Sequence, residues 1–303
     1  MKITYLQQVN IDKQKWDRCI ETAGNGLIYA WSFYLDAMSK NWDALIMNDY
    51  EVVMPLTWNK KYGIYYLYQP FYTAQLGIFG NDLSSEIVQS FLESIPAKFK
   101  YWDFNLNEKN LFATRGFKMY DRSNYILPLE KSYTKLSAQY SNSHQRNIRK
   151  AKDAGNLLKK NIPVADIIFL AKEQAKNFSP IKNQDYANLA KLYEILLGKN
   201  MAISYGIYSP QQELLSSSGW FFSHGRAYYI LVGNNPKGRN SGASHLMIDL
   251  FIQDYAERKL LVDFEGSDLK GIAMFYRGFG ATEEKYPGIK LNNLSPIAKL
   301  FKK

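Results

Sequence analysis

The chain has 303 residues, 46% apolar and 22% charged, a balance that excludes wholesale disorder and a length that points to two domains. Its 38 Lys+Arg against 28 Asp+Glu leave a formal net charge of +10, a bias toward anionic partners such as phosphorylated small molecules, nucleic acid or anionic lipid. One cysteine, Cys19, and three histidines exclude an internal disulfide and a cysteine-rich zinc site, and no apolar run approaches the roughly 18 residues of a membrane span.

The opening residues read as a strand. Polar Asn10, Asp12 and Lys13 precede any hydrophobic region of signal-peptide length, so the N-terminus reads as mature sequence and the protein as cytoplasmic. A helix over Lys13 to Ala23, with Trp16, Cys19 and Ile20 on its apolar side, stops at Gly24-Asn25-Gly26. A second helix over Phe33 to Lys40 precedes strands over Ala44 to Met47, Val52 to Trp58 and Gly63 to Tyr68. The tyrosines and phenylalanines between Tyr62 and Tyr72 read as strand residues packing a core, in preference to a base-stacking platform. Ser84 to Ile95 forms an amphipathic helix ended by Pro96, followed by a strand closing on Trp102-Asp103-Phe104, and Tyr125 to Leu129 ends the first half.

The second half opens with a helical stretch from Tyr133 to Ala154, stopped by Gly155. Helices over Val164 to Asn177 and Gln184 to Leu197 lead to strands over Ala202 to Tyr208, Leu214 to Ser223 and Ala227 to Val232. A turn rich in Gly, Asn and Pro, Gly233 to Gly242, precedes a helix from Ser244 to Arg258 and a strand from Leu260 to Phe264. The order repeats that of the first half, and residues repeat with it. At an offset of 160, Phe91, Asp103 and Phe104 match Phe251, Asp263 and Phe264; at 162, Arg115-Gly116-Phe117 matches Arg277-Gly278-Phe279. A duplicated α/β domain follows, with mixed sheets, domains 1–131 and 132–303, and the basic helix 141–154 in the second. A cleft between two such domains is the expected ligand site.

The turn Gly238-Arg239-Asn240-Ser241-Gly242-Ala243 follows a strand and opens a helix at Ser244. Small residues there let backbone N–H groups approach a phosphate, and Lys237 and Arg239 add full charge. It is neither a Walker A loop nor a dinucleotide Gly-x-Gly-x-x-Gly turn, and a plain connector is the competing reading. The corresponding first-half turn, Gly77 to Asp82, carries Asp82 where a phosphate would be repelled.

A strand, a Gly-rich turn with Arg, a helix and a strand ending in Asp-Phe resemble the core of the GNAT acyltransferase fold, and the tandem arrangement resembles the FemABX peptidyltransferase superfamily with its cellulose-biosynthesis-like relatives. The resemblance is carried by the helix Gln145 to Gly155, by Asp263-Phe264-Glu265-Gly266-Ser267, by Ile272 to Gly280, and in the first half by Gln69-Pro70-Phe71-Tyr72 and Gln75-Leu76-Gly77. It spans most of the chain. The length leaves no room for the long coiled-coil arm of the bridge-forming enzymes, and acetyl-CoA and aminoacyl-tRNA both stand as donors, with Lys237, Gly238, Arg239, Asn240, Gly242 and Ser244 as the donor-binding segment.

The resemblance implies direct transfer of an acyl or aminoacyl group to an amine on a small or carrier-linked acceptor, with no covalent enzyme intermediate. Such chemistry uses a positioned carboxylate as base and an acid for the leaving group. Asp263 and Glu265, at i and i+2 on a strand end, are expected on one face, with Glu265 as base and Tyr276 or Tyr286 as acid. The competing reading has Asp263 capping the following turn and Glu265 in an ion pair with Arg277. Arg146 and Lys150, one helical turn apart, would hold a phosphate or carboxylate, with Ile148 packing inward, and Tyr72, Gln75 and Arg277 complete the expected substrate contacts. A non-catalytic anion-binding module is the alternative from another class. His144, His245 and His224 lack metal-ligand spacing and Cys19 reads as inert core, so no metal is implied.

Overall fold

The computed structural model describes residues 2–176, 181–266 and 268–296. In chain order the elements are β1 (Ile3–Leu6), α1 (Lys13–Thr22), α2 (Ser32–Met38), β2 (Trp42–Met47), β3 (Val52–Lys61), β4 (Ile64–Tyr68), β5 (Phe79–Gly80), α3 (Ser85–Glu93), β6 (Phe99–Asn105), β7 (Met119–Pro128), α4 (Tyr133–Ser137) and α5 (Asn142–Asp153). There follow β8 (Leu157–Lys160), α6 (Val164–Ala175), α7 (Asn183–Gly198), β9 (Ala202–Tyr208), β10 (Leu214–Ser223), β11 (Arg226–Asn234), α8 (Pro236–Ser241), α9 (Ala243–Tyr255), β12 (Leu261–Asp263), α10 (Lys270–Arg277) and β13 (Thr282–Asn292). The chain divides into two compact units, Met1–Arg122 with Lys285–Lys303, and Ser123–Glu284, so residue 131 lies in the second and the last strand returns to the first.

In the first unit the strands run β1-β2-β3-β4-β6-β13, with β5 on β3. All neighbours are antiparallel except β4 and β6. Asp12 caps α1, its carboxylate accepting from the Gln14 and Lys15 amides at 3.0 and 3.1 Å. The face then buried is the one its spacing implies, Trp16, Cys19 and Ile20, with Trp16 Nε1 donating to the Ala30 carbonyl at 2.8 Å. Ser84 caps α3, which buries Val88, Phe91 and Leu92 against the sheet. Each such side chain contributes about 1.5–3 kcal/mol relative to exposure.

In the second unit the order is β7-β12-β11-β10-β9-β8, with β11 and β12 the parallel pair. α9 covers one face, its Phe251 ring stacked on Trp220 at 3.5 Å. α6 covers the other so closely that a Cβ on Gly233 would lie 2.6 Å from the Ala171 amide nitrogen. The repeated residues hold matching places, Phe91 on α3 ahead of β6 and Phe251 on α9 ahead of β12, both with no exposed surface.

Two segments differ from expectation. The stretch expected as one helix from Tyr133 is broken into α4 and α5, because the Ser141 side chain accepts from the His144 amide and starts a new helix. The turn expected over Gly233 to Gly242 is mostly helix. Asn235 caps α8 through the Gly238 amide at 2.6 Å, Pro236 occupies the first turn, and Gly242, at φ 78°, both ends α8 and starts α9.

Candidate active site

In the second unit, β12 delivers Asp263 to its end with 1% of its surface exposed. One carboxylate oxygen accepts from the Glu265 amide at 2.9 Å, and the other accepts from Arg226 Nη1 at 2.9 Å. The same guanidinium makes a two-point contact with Glu284, at 3.0 and 3.1 Å, and Asn124 donates to Glu284 at 3.2 Å. Burial pushes the Asp263 carboxyl above the usual carboxylate range and outweighs the opposing pull of Arg226. Asp263 therefore caps the turn that follows, as the competing reading had it.

Glu265 has φ 63° and Gly266 φ 77°, two successive left-handed residues. A Cβ on Gly266 would lie 2.5 Å from the Ser123 carbonyl oxygen, so only glycine fits. The alternation of β12 ends at Asp263, and the expected placement of Asp263 and Glu265 on one strand face does not hold, because Glu265 has left the extended conformation. The structure pairs Arg277 with Glu283 at 2.9 Å and lays its guanidinium 5.2 Å from the Tyr125 ring centre.

Tyr276, on α10, is half-buried, with its ring stacked on Phe264 at 4.5 Å. Burial and then the charge of Glu265 push its phenol well above its ordinary value, so it stays protonated at neutral pH. Among the described residues its hydroxyl has no hydrogen-bond partner. Of the two expected acids, Tyr276 is the one the structure brings into electrostatic contact with Glu265. Tyr286 lies in the first unit, 3% exposed, with Arg122 6.0 Å from its ring centre.

The segment expected to bind the donor is built differently from a phosphate loop. A Cβ on Gly238 would stand 2.0 Å from the Leu215 carbonyl oxygen, and one on Gly242 2.3 Å from that of Asn147, so both glycines serve close packing of α8 on β10 and of α9 on α5. Lys237 pairs with Glu213 at 2.7 Å, Ser244 is half-buried in the first turn of α9, and Arg239 and Asn240 are exposed. The Asn240 carbonyl accepts from Lys150 at 2.8 Å, which ties two of the expected anion-binding groups together. Arg146 and Arg149 share the exposed side of α5 while Ile148 and Ala151 pack inward; among the described residues, Arg146, Arg149 and Arg239 form no ion pair.

In the first unit, Gln75 is 1% exposed and accepts from the Glu108 amide at 3.0 Å, a strut between loops. Tyr72, at φ 56°, accepts at its carbonyl from the Tyr34 hydroxyl.

Sequence reasoning missed Arg226 and Glu284, and it missed a histidine pair. His144 Nε2 donates to the Phe275 carbonyl at 2.8 Å, which leaves Nδ1 to accept from the Ser141 hydroxyl at 2.9 Å. Its ring meets His245 edge-on at 4.7 Å, and burial with the neighbouring ring lowers His245 to about 4. No local pattern announces partners so far apart in sequence. Among the described residues no group of three or more His, Cys, Asp or Glu could hold a metal ion, and no helix is long and apolar enough to cross a membrane.

This architecture is a tandem GNAT fold, spanning the whole chain, as a tandem GNAT protein from the clavulanic acid biosynthesis pathway shows with 9% identity, coverage of 97% of this chain and 99% of that one, and a TM-score of 0.59. More particularly it is FemX-like: a FemX structure matches over 100% of both chains at 12% identity with a TM-score of 0.69. The L-PGS structure from Bacillus licheniformis matches over 96% of this chain and 95% of its own at 11% identity, TM-score 0.58. No protein-family model matches the sequence, and neither does any curated protein.

Proposed function

We propose that the protein is an N-acyltransferase that moves an aminoacyl group from an ester-linked donor to an amine, with Glu265 as base and Tyr276 as acid. The observation that carries the reading is the pairing of a carboxylate held in a left-handed turn by the buried Asp263–Arg226 clamp with a protonated phenol that has no hydrogen-bond partner among the described residues. The amine nitrogen attacks the donor carbonyl carbon and forms the amide bond. Its proton passes to Glu265, the ester C–O bond breaks, and Tyr276 gives its proton to the leaving oxygen, to be reprotonated from Glu265 through solvent.

Donor choice follows from the acid. A phenol raised above its ordinary value of about 10 is matched to an alkoxide, which needs a proton to leave; a thiolate, near 8.5 for a free thiol, leaves without one. The donor is therefore read as aminoacyl-tRNA, steered by Arg146, Arg149, Lys150 and Arg239, with tRNA as the partner and the cytoplasm as the place of work. The packing role of Gly238 and Gly242 supports the same choice over acetyl-CoA, because backbone already engaged against Leu215 and Asn147 is a poor pyrophosphate cradle. The acceptor is an amine on a small or carrier-linked molecule.

The test is transfer from bulk charged tRNA, with acetyl-CoA in parallel, to a mixture of amines, with products read by mass. Glu265→Gln is expected to lower turnover by at least about a hundredfold while donor binding stays within about twofold. Undiminished turnover in that variant, or acyl transfer from acetyl-CoA alone, overturns the assignment. A protein that binds the donor and transfers nothing is the anion-binding module of the alternative reading.

A further inference from the structure

The first unit contains a cavity of about 310 Å³ where the chain leaves α1 and again where it approaches α3. Its walls include Gly24, Asn25, Asn81, Asp82, Lys109 and Phe112. The floor is rigid. Asn25, 4% exposed, donates to the Ile78 carbonyl at 2.8 Å and to Asn107 at 3.2 Å, and accepts from the Gly80 amide at 3.1 Å. Asn107 and Asn110, both fully buried, hold the same loop through the Leu76 and Ile78 carbonyls.

The rim is different in kind. Asp82 and Lys109 are exposed, carry opposite charge and border one cavity, yet among the described residues neither side chain forms an ion pair or hydrogen bond, the Lys109 amide alone being held, by Asn107 at 3.1 Å. Asp82 is held at φ 51°, a left-handed turn conformation that aspartate tolerates. Gly24 has an ordinary φ, and a Cβ there would meet nothing nearer than Asn81 Oδ1 at 3.5 Å, so neither backbone nor packing demands a glycine. The missing side chain leaves the cavity wall uncovered at Gly24, whose amide donates to Asn81 Oδ1 at 2.9 Å.

From this we infer that the first-unit cavity is a binding site for a small zwitterion, an α-amino acid or the free end of a short peptide. The ammonium faces Asp82, the carboxylate faces Lys109, and the side chain lies along Phe112. A single anion gains one charge contact and meets one repulsion, and a cation likewise; only a ligand carrying both charges satisfies the rim. The cavity lies outside the Glu265–Tyr276 site and the inference is independent of the acyl-transfer reading.

The full chain, labelled for amide NMR, is titrated with glycine, L-alanine and D-alanine, and in parallel with acetate, ethylamine and inorganic phosphate at constant ionic strength. At least one amino acid is expected to bind saturably with a dissociation constant of about 1 mM or below, shifting the Gly24, Asn25 and Asn81 amides, and to bind at least about tenfold tighter than any singly charged probe. Asp82→Asn and Lys109→Met, both at exposed positions, are each expected to weaken binding about tenfold or more with an unchanged spectrum elsewhere. The inference is overturned by linear shifts up to about 50 mM, by acetate or phosphate binding as tightly as the amino acids, or by saturable shifts that leave those three amides unmoved.

Discussion

The two units place the same dipeptide on matching strands and give it opposite surroundings. Asp103 stands half-exposed on β6, paired with Lys290 at 3.1 Å in a contact whose side chains are 39% and 58% exposed, respectively. Asp263 closes β12 with its carboxylate buried against Arg226 and Glu284. The phenylalanines that follow, Phe104 and Phe264, are 5% and 1% exposed. Duplication has thus kept the packing half of the motif in both units, while the charged half is an exchangeable surface pair in one and a desolvated clamp in the other. A buried ion pair gains little against a well-packed apolar substitute, so its presence beside a strained carboxylate favours a positioning role over a purely stabilising one.

That contrast can be broken most sharply at the cations. Arg226→Met leaves Asp263 and Glu284 buried together without a counter-charge and is expected to cost about 3–5 kcal/mol in denaturant unfolding, whereas Lys290→Met is expected to cost under about 1 kcal/mol. Equal losses would show that the two aspartates are energetically alike. Gly242→Ala forces a Cβ toward the Asn147 carbonyl at a φ of 78° and is expected to cost about 2 kcal/mol or more.

The histidine pair sharpens the comparison through pH. His245 is lowered in the folded state to about 4 from 6.5, so the unfolded chain binds the extra proton between those values and stability is expected to climb as pH rises across that window. His144 is lowered as well and adds in the same direction. Asp263, raised in the folded state, works against both, since its contribution is present at low pH and lost as pH rises through its folded value. His245→Asn is expected to flatten the climb by about 2 kcal/mol, read as the difference in unfolding free energy between pH 4 and 6.5. The smallest effect belongs to Gly24→Ala, expected to leave stability unchanged or raise it by about 0.4–1 kcal/mol, the reverse of Gly242→Ala.

Much of the fold was legible because it is written locally. The Trp16, Cys19 and Ile20 spacing names the buried side of α1, and the recurrence of Phe91 as Phe251 marks equivalent helices. Of the proposed site, the sequence made only Glu265 and Tyr276 legible. Arg226 acts on partners 37 and 58 residues away, and its sequence neighbourhood is an ordinary strand. The Gly, Asn and Pro of α8 read as a turn because their propensities disfavour helix. Tertiary contact with Leu215 and the Asn235 cap override that preference over a single short stretch. Left-handed backbone at Glu265 is likewise imposed from outside, by Asp263 and by the Ser123 carbonyl that excludes any side chain at the next residue.

The last strand has a consequence for the order in which the molecule comes into being. Within the first unit β13 pairs with β6, Gly288 opposite Asn105, a separation of 288 − 105 = 183 residues. At a synthesis rate of roughly 5–20 residues per second, β6 leaves the ribosome about 10 to 40 seconds before the strand that covers its outer edge. During that interval the edge is an open template for pairing with other chains. The first unit is begun first and finished last, and a nascent chain of this protein has an interval of open strand edge built into its connectivity.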